Sequence, residues 1–399
     1  MPAPAPFPRS WRKQAALFLV SQNLSLFGSA VVGFALVWHI TLQTTSGLWM
    51  TLATIACNVP QIVLLPWGGV WADRYSRRWL IMCSDGLVAL ATLALAFVFM
   101  AGSESLFLIL GVLALRSLGG GVQAPASAAL YTQLVPPERL NQVQGINQTV
   151  NAVLMLLSPA AGGLLLGSVN LAWAMMVDVV TATAAIGVLW CIEAGHAAQN
   201  VEPRSARAEM LRGLSFMFET RALRLFLFCY AAFFFLVAPA AVLSPLMIAR
   251  SFGGEVWRLT ANELAWSGMS ILGGAFIAWR GEYADKPRAI AFCVTVFGLL
   301  VGLLGFVDNF AVYLVIIGLA GFIMPVFATT STVFVQQTAD PAMLGRVFSI
   351  VQIVAASGLP LAILVFGPLA DAVSVESLMV ATGFPLALAG LFYRHLSRR

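Results

Sequence analysis

The sequence predicts an all-α polytopic membrane protein, with twelve transmembrane helices arranged as two pseudo-symmetric six-helix bundles. Three observations carry that expectation. The 399 residues are 60% hydrophobic and 10% charged, with a mean hydropathy of +0.89, whereas a soluble domain carries about 25% charged residues. Apolar runs of about twenty residues, each enough to cross a bilayer core of about 30 Å, recur along the whole length. Short polar clusters containing most of the Lys and Arg separate these runs.

Read against charged or Pro/Gly breaks, the spans fall at 14–41, 48–70, 79–101, 105–133, 140–167, 171–192, 222–249, 263–280, 288–306, 310–336, 344–370 and 374–393. The first run is too long for the core of a signal peptide and is expected to stay as a helix. With the N-terminus in the cytoplasm, all of the 22 Lys and Arg except Arg116, Arg250 and Arg258 fall on the cytoplasmic side. The excess of inner positive charge sets this orientation. Both termini are therefore expected in the cytoplasm and the chain in the inner (plasma) membrane. The net charge of +5 is dispersed over short loops, so no nucleic-acid partner is expected. The five Cys stand singly in or beside apolar runs and read as small core residues.

A polar stretch, 194–221, divides the spans six and six, giving an N-terminal bundle at 1–193, a cytoplasmic linker, and a C-terminal bundle at 222–399. Within the linker, Met210, Leu211, Leu214, Met217 and Phe218 against Arg207, Arg212 and Glu219 have the spacing of a helix with one apolar face. A loosely ordered linker fits the composition equally well. The halves look related: Pro137, Leu140, Val143 and Gln148 recur at one constant offset as Pro341, Leu344, Val347 and Gln352. Parallel repeats of this kind form sites between two bundles in many transporters.

The most informative motif is Gly69-Val70-Trp71-Ala72-Asp73-Arg74-Tyr75-Ser76-Arg77-Arg78. Four charges in six residues cannot sit in hydrocarbon, where a central Asp or Arg costs roughly 2.5–3.5 kcal/mol. The turn must therefore lie at a membrane surface. It resembles the second loop of the major facilitator superfamily, Gly-x-Leu-Ala-Asp-Arg-x-Gly-Arg-Arg, with Trp71 for the Leu and Ser76 for the second Gly. Arg116 to Gly120 is similar to the family's Arg-x-x-x-Gly motif in the fourth span. Ser158-Pro159-Ala160-Ala161-Gly162-Gly163 looks like the Gly-Pro-x-x-Gly-Gly motif of drug:proton antiporters, with Ser for the first Gly. Leu344 to Ser349 and the Asp178-containing sixth span point further, to the macrolide-efflux and multidrug-exporter branch.

The resemblance implies a secondary transporter that exports bulky amphipathic molecules by proton antiport with alternating access, acting as a monomer among membrane lipids. A lipid or lysophospholipid transporter or flippase of the same fold is the main alternative, and a metabolite or siderophore exporter a weaker one. It also implies a gate at Gly69, Asp73, Arg74 and Arg77, in which Asp73 meets the N-terminal end of the eleventh span near Met343 to Arg346. An acid there meets exposed N–H groups and the positive dipole end. Arg78 is expected to set topology only. Pro159, Gly162 and Gly163 imply a kink or close helix contact that seals against proton leak, with helix packing alone as the alternative.

Arg116 is the one basic residue deep in a span, and intramembrane charges default to function. Asp178 and Asp85 are the clear intramembrane acids. Burial disfavours a charged carboxylate and a neighbouring Arg favours it, so a group balanced between the two can load and release a proton. Asp178, Arg116 and Asp85 are thus the proton-coupling candidates, although Asp178 fits a helix-packing role equally well, Arg116 could instead be a structural hydrogen-bond hub between helices, and Asp85 is first expected to pair with the arginines of the preceding loop. Glu263 and Asp371 are expected at solvated span ends. From the family pattern of central helices, Asn23, Gln123, Tyr230, Phe233, Phe234 and Phe327 are the candidates for substrate binding, with Trp266 bordering the pocket. No phosphate-binding loop, nucleophile–base grouping or metal spacing occurs, and His39 has no second His nearby. Neither an enzyme, a cofactor nor a metal is expected.

Overall fold

The computed structural model describes residues 11–168, 170–192, 206–281, 283–340 and 343–398. Fifteen α-helices follow in order among them: α1 (Trp11–Thr44), α2 (Gly47–Arg74), α3 (Arg77–Met100), α4 (Leu106–Leu134), α5 (Pro137–Ser168), α6 (Leu171–Trp190), α7 (Ala206–Glu219), α8 (Arg221–Leu236), α9 (Ala238–Val242), α10 (Ser244–Met247), α11 (Val256–Arg280), α12 (Lys286–Leu304), α13 (Phe310–Thr338), α14 (Leu344–Ala372) and α15 (Val375–Ser397). A π-helical turn, Ile248–Phe252, joins α10 to α11. No strand occurs among the described residues.

Among the described residues, ten helices are long and apolar enough to cross a membrane: α1 to α6 and α12 to α15. The expected seventh and eighth spans differ from the sequence reading. The seventh breaks into α8, α9, α10 and the π turn, because Pro239 and Pro245 each remove a backbone donor and clash with the preceding turn. Ala238 to Ala240 and Leu243 to Ile248 are all buried, the condition under which irregular backbone is tolerated at membrane depth. The eighth is one helix of 25 residues that starts at Val256 and carries Arg258, Glu263 and Arg280.

The chain divides into two compact units, Met1–Ile40 with Ile55–Asn200, and Thr41–Thr54 with Val201–Arg399. In the first, α3 packs on both α4 and α6. Phe18, Ile81, Leu130, Leu134 and Leu189 join one apolar cluster there, with Phe18 edge-on to Tyr131 at 4.6 Å. In the second, α12 packs on α15, α11 on α13, and α8 against α14 and α15. Helix α7 occupies the latter part of the linker and packs on α14 and α8, with Met217 fully buried. Residues 193–205 lie outside the described residues.

Small residues set the tightest contacts, as membrane helices require. On α15, a Cβ at Gly383 would fall 2.6 Å from Gly302 Cα and 2.7 Å from Gly298 O of α12. Large apolar side chains such as Leu90, Phe107, Leu164, Phe292, Val315 and Phe392 point outward, which suits contact with hydrocarbon. The cysteines depart from expectation. Only Cys229 and Cys293 are buried, whereas Cys83 and Cys191 are exposed and Cys57 is intermediate. A small apolar side chain is as acceptable to lipid as to a core, so burial does not follow from an apolar neighbourhood.

Replacing Gly383 with Val should force α12 and α15 apart and cost about 1–3 kcal/mol, as overpacking does. A lowered thermal-unfolding midpoint in detergent is the expected result, and an unchanged midpoint would show that the seam gives way freely.

Candidate functional site

The first unit has a charged centre. Asp178 on α6 is fully buried and Arg116 on α4 is 10% exposed, and the two form an ion pair through Arg116 Nη1. The same Nη1 donates to Thr92 Oγ1 of α3 at 2.8 Å, and Nη2 donates to the Ser29 carbonyl of α1 at 2.8 Å. Asp178 accepts from Ser29 Oγ at 3.0 Å and Thr92 Oγ1 at 3.1 Å. Four helices thus meet on one pair. Gly28 makes this possible, since a Cβ there would lie 3.1 Å from Asp178 Cα and collide with Thr181 Oγ1. Dense hydrogen bonding is the condition under which a buried ion pair is tolerated.

Asp85 on α3 does not pair with the loop arginines. Its Oδ1 accepts from Ser25 Oγ of α1 at 2.8 Å and Gln123 Nε2 of α4 at 3.0 Å, while its Oδ2 is buried without a hydrogen-bond partner. Asp85 sits eight residues into α3, about 12 Å along the axis from Arg77, and it turns towards α1 and α4. The arginines are used elsewhere. Arg77 donates to the Ala72 carbonyl at 3.2 Å and to Ala129 O of α4 at 2.8 Å, and Arg78 donates to Ile192 O just past α6. Arg78 therefore holds the C-terminal end of α6 and does more than set topology: guanidinium groups suit the carbonyl-rich C-terminal ends of helices. Arg74 is exposed. The side chain of Asp73 lies outside the described residues. Gly69 faces open space, and its neighbour Gly68 makes the close contact, with Val122 Cα 3.1 Å from the position of a Cβ.

Sequence reasoning missed Ser25. The signal was present: Ser25 and Ser29 are four apart, one turn on one face of α1, and each donates to one of the two acids. Asn23, on the same helix, donates to Leu19 O and to Asn147 Oδ1 of α5. Pro159 and Gly163 are buried, and a Cβ on Gly162 would lie 3.0 Å from the Val31 carbonyl, so this motif brings α5 close to α1.

In the second unit, Phe233 and Phe327 are buried to 1% exposure or less. They stack at 4.3 Å, with Phe233 also edge-on to Phe297 at 5.1 Å. Both rings pack in the core of this unit, and helical spacing alone does not say which way an aromatic ring faces. Tyr230 and Phe234 stand 4.9 Å apart at the edge of this stack, partly exposed. Trp266 does border a cavity of about 180 Å³, together with Phe297, Asn262, Ser244 and Glu263. Glu263 is therefore not a solvated span end: α11 begins seven residues before it, which carries the acid inward.

Asp371, at the C-terminal end of α14, is partly exposed but fully engaged. Its carboxylate accepts from Gly47 N at 2.6 Å, Leu48 N at 2.8 Å and Ser46 Oγ at 2.8 Å, and it pairs with Arg250 at 2.9 Å. It thus caps the N-terminus of α2, where unpaired N–H groups and the helix dipole favour an anion. Arg250 also donates to Thr45 O and Ala370 O. No group of His, Cys, Asp and Glu able to hold a metal occurs among the described residues.

Long apolar helices enclosing hydrogen-bonded charges at membrane depth define a multi-pass membrane protein of the transporter type. The chain belongs to the Major Facilitator Superfamily, whose family model matches residues 18–363. It is similar to Macrolide efflux protein A of Streptococcus pyogenes, 24% identical over 379 residues that cover 94% of this chain and 93% of the relative. It is 25% identical to Multidrug efflux pump Tap of Mycolicibacterium fortuitum over 390 residues, 93% of this chain and 92% of the relative. Among solved structures, a POT family transporter in complex with 5-aminolevulinic acid matches at a TM-score of 0.74 with 14% identity, covering 97% of this chain and 96% of that one. A bacterial homologue of the iron transporter ferroportin matches at 0.73, again with 14% identity, over 97% and 99%. These two likenesses are of fold.

Removing one member of a buried pair leaves an uncompensated charge, at a cost of about 3–5 kcal/mol. Arg116→Met should therefore lower the thermal midpoint strongly, and adding Asp178→Leu to the same chain should recover much of the loss. A double variant no more stable than the single one would show that the pair is not the coupled unit.

Proposed function

We propose that this chain is a secondary active exporter of bulky amphipathic small molecules, driven by proton antiport with alternating access. The observation that carries the reading is the Arg116–Asp178 pair, a fully buried carboxylate held by one guanidinium and two hydroxyls. Protonating Asp178 removes its charge and frees Arg116, so loading a proton there changes what four helices share. The efflux names of the relatives support the direction and the substrate class. We read residues 1–193 and 222–399 as the two bundles that move, 194–221 as their cytoplasmic linker, and both termini as cytoplasmic. The protein acts as a monomer in the inner membrane.

Gating follows from two acids in matching sequence. Gly69-Val70-Trp71-Ala72-Asp73 ends α2, and Gly367-Pro368-Leu369-Ala370-Asp371 ends α14. The cap that Asp371 places on the start of α2 supports a latch on the outer side. In the alternate state Asp73, with Arg74 and Arg77 beside it, caps the start of α14 on the inner side. Each helix end then holds the other helix in only one of the two states.

The reading is tested in proteoliposomes with an imposed proton gradient, run against macrolides, cationic dyes and lysophospholipids. Gradient-driven export of macrolides or dyes is expected. Asp178→Asn should abolish it while leaving substrate binding intact, and full export by that variant removes Asp178 from the mechanism. Transport of lysophospholipid alone would replace the drug-export reading with a lipid carrier. For the gate, a single Cys at position 42 in a chain stripped of native Cys should react several-fold faster with an external thiol reagent in Asp371→Asn, and Asp73→Asn should shift reactivity the other way. Equal labelling in all three proteins would remove the latches.

A further inference from the structure

We propose that the cavity beside Glu263 in the second unit is a recognition site for an organic ammonium group, tertiary or quaternary. The site deepens the export reading above, on which it rests only for the statement that its ligand is cargo.

The argument starts from an acid without a cation. Glu263 lines a cavity whose other walls include Trp266, Phe297 and Ile317. Its one described hydrogen bond comes from Asn262 Nδ2 to Oε1, at 3.3 Å. Among the described residues no Lys, Arg or His forms an ion pair with it; the nearby Arg258 pairs with Glu255 instead. An acid that lines a largely apolar cavity and pairs with no protein cation is left to meet a cation from outside the chain. Asn262 itself is fixed, because Tyr313 Oη donates to its Oδ1 at 3.0 Å. That bond turns the amide so that its N–H₂ side faces the carboxylate, and the acid is held in place by a built relay.

The walls then select among cations. Trp266 lies one turn beyond Glu263 on α11, and its ring meets that of Phe297 edge-on, with centroids 6.2 Å apart. Aromatic side chains lining one cavity with a carboxylate favour a diffuse, weakly hydrated cation, of the kind an alkylated ammonium group supplies. A hard divalent ion would need six or more oxygen ligands, and the cavity offers one carboxylate with an amide and the Ser244 hydroxyl. A primary ammonium would leave donors facing apolar wall. A volume of about 180 Å³ suits an aryl- or alkylammonium head, with the bulk of a larger amphipathic molecule left outside.

The test is equilibrium binding to the purified full chain in lipid nanodiscs, by isothermal titration calorimetry, with phenyltrimethylammonium as the probe and N,N-dimethylbenzamide as a neutral control. The wild type should bind the cation and not the control. Glu263→Gln should weaken binding at least tenfold while keeping the wild-type thermal midpoint, Glu263→Asp should retain part of it, and Trp266→Ala should weaken it more than Trp266→Phe. Equal affinity in wild type and Glu263→Gln, no binding of the cation to wild type, or equal binding of the neutral control would each overturn the site. Binding needs no gradient, so a chain that binds the cation through Glu263 yet exports nothing would end the export reading and leave this site standing.

Discussion

The contact on which the first unit turns is the ion pair between Arg116 and Asp178. Two opposite charges at membrane depth are tolerable only when geometry and hydrogen bonds make up for lost water. Every nearby feature serves that condition. Thr92 and Ser29 supply hydroxyls, the Ser29 carbonyl takes the second guanidinium nitrogen, and Gly28 lets α1 come close enough to offer them. Removing any one leaves a polar group facing apolar surroundings. The pair therefore fixes the rotation of α1, α3, α4 and α6 about their own axes, something that apolar packing against lipid and neighbours specifies weakly.

The second unit solves the same problem differently. It has no described intramembrane ion pair of that kind. Its order comes from backbone-to-backbone approach at glycines and from a stack of aromatic rings around Phe233, Phe297 and Phe327. Among its polar groups, Tyr313, Asn262 and Glu263 form one line. Charge in this unit is concentrated at its ends, at Asp371 with Arg250 and at Asp285 with Arg288.

Much of the fold was legible in the sequence, because a bilayer forces apolar runs of a set length and the charged turns mark where they stop. Ten of the twelve expected runs are helices of crossing length. The seventh run is helical but divided, because Pro239 and Pro245 interrupt a stretch that hydropathy reads as continuous. The eighth was cut short because Arg258 looked like a loop residue, and this hid Glu263. At the site, Arg116 and Asp178 stood out as isolated charges, yet their pairing across 62 residues depends on helix rotation, which composition does not encode. Asp85 shows the converse: nearness in sequence to Arg77 and Arg78 pointed to the wrong partners. Burial of Phe233 and Phe327, like that of the cysteines, was not legible, since an apolar side chain on a membrane helix is equally at home facing the core or the lipid.

The π turn at Ile248–Phe252 has a consequence for how this chain tolerates insertions and deletions. Arg250 sits within it and reaches three partners on two separate stretches of sequence, Thr45 on one and Ala370 and Asp371 on the other. A π turn holds one residue more than the α-helical turn it replaces, and each residue added to or taken from a helix swings everything beyond it by about 100°. A one-residue length change upstream of Arg250 would thus aim its guanidinium away from all three partners, even if no partner were altered. Length in this short stretch is as much a part of the contact with Asp371 as the charges are.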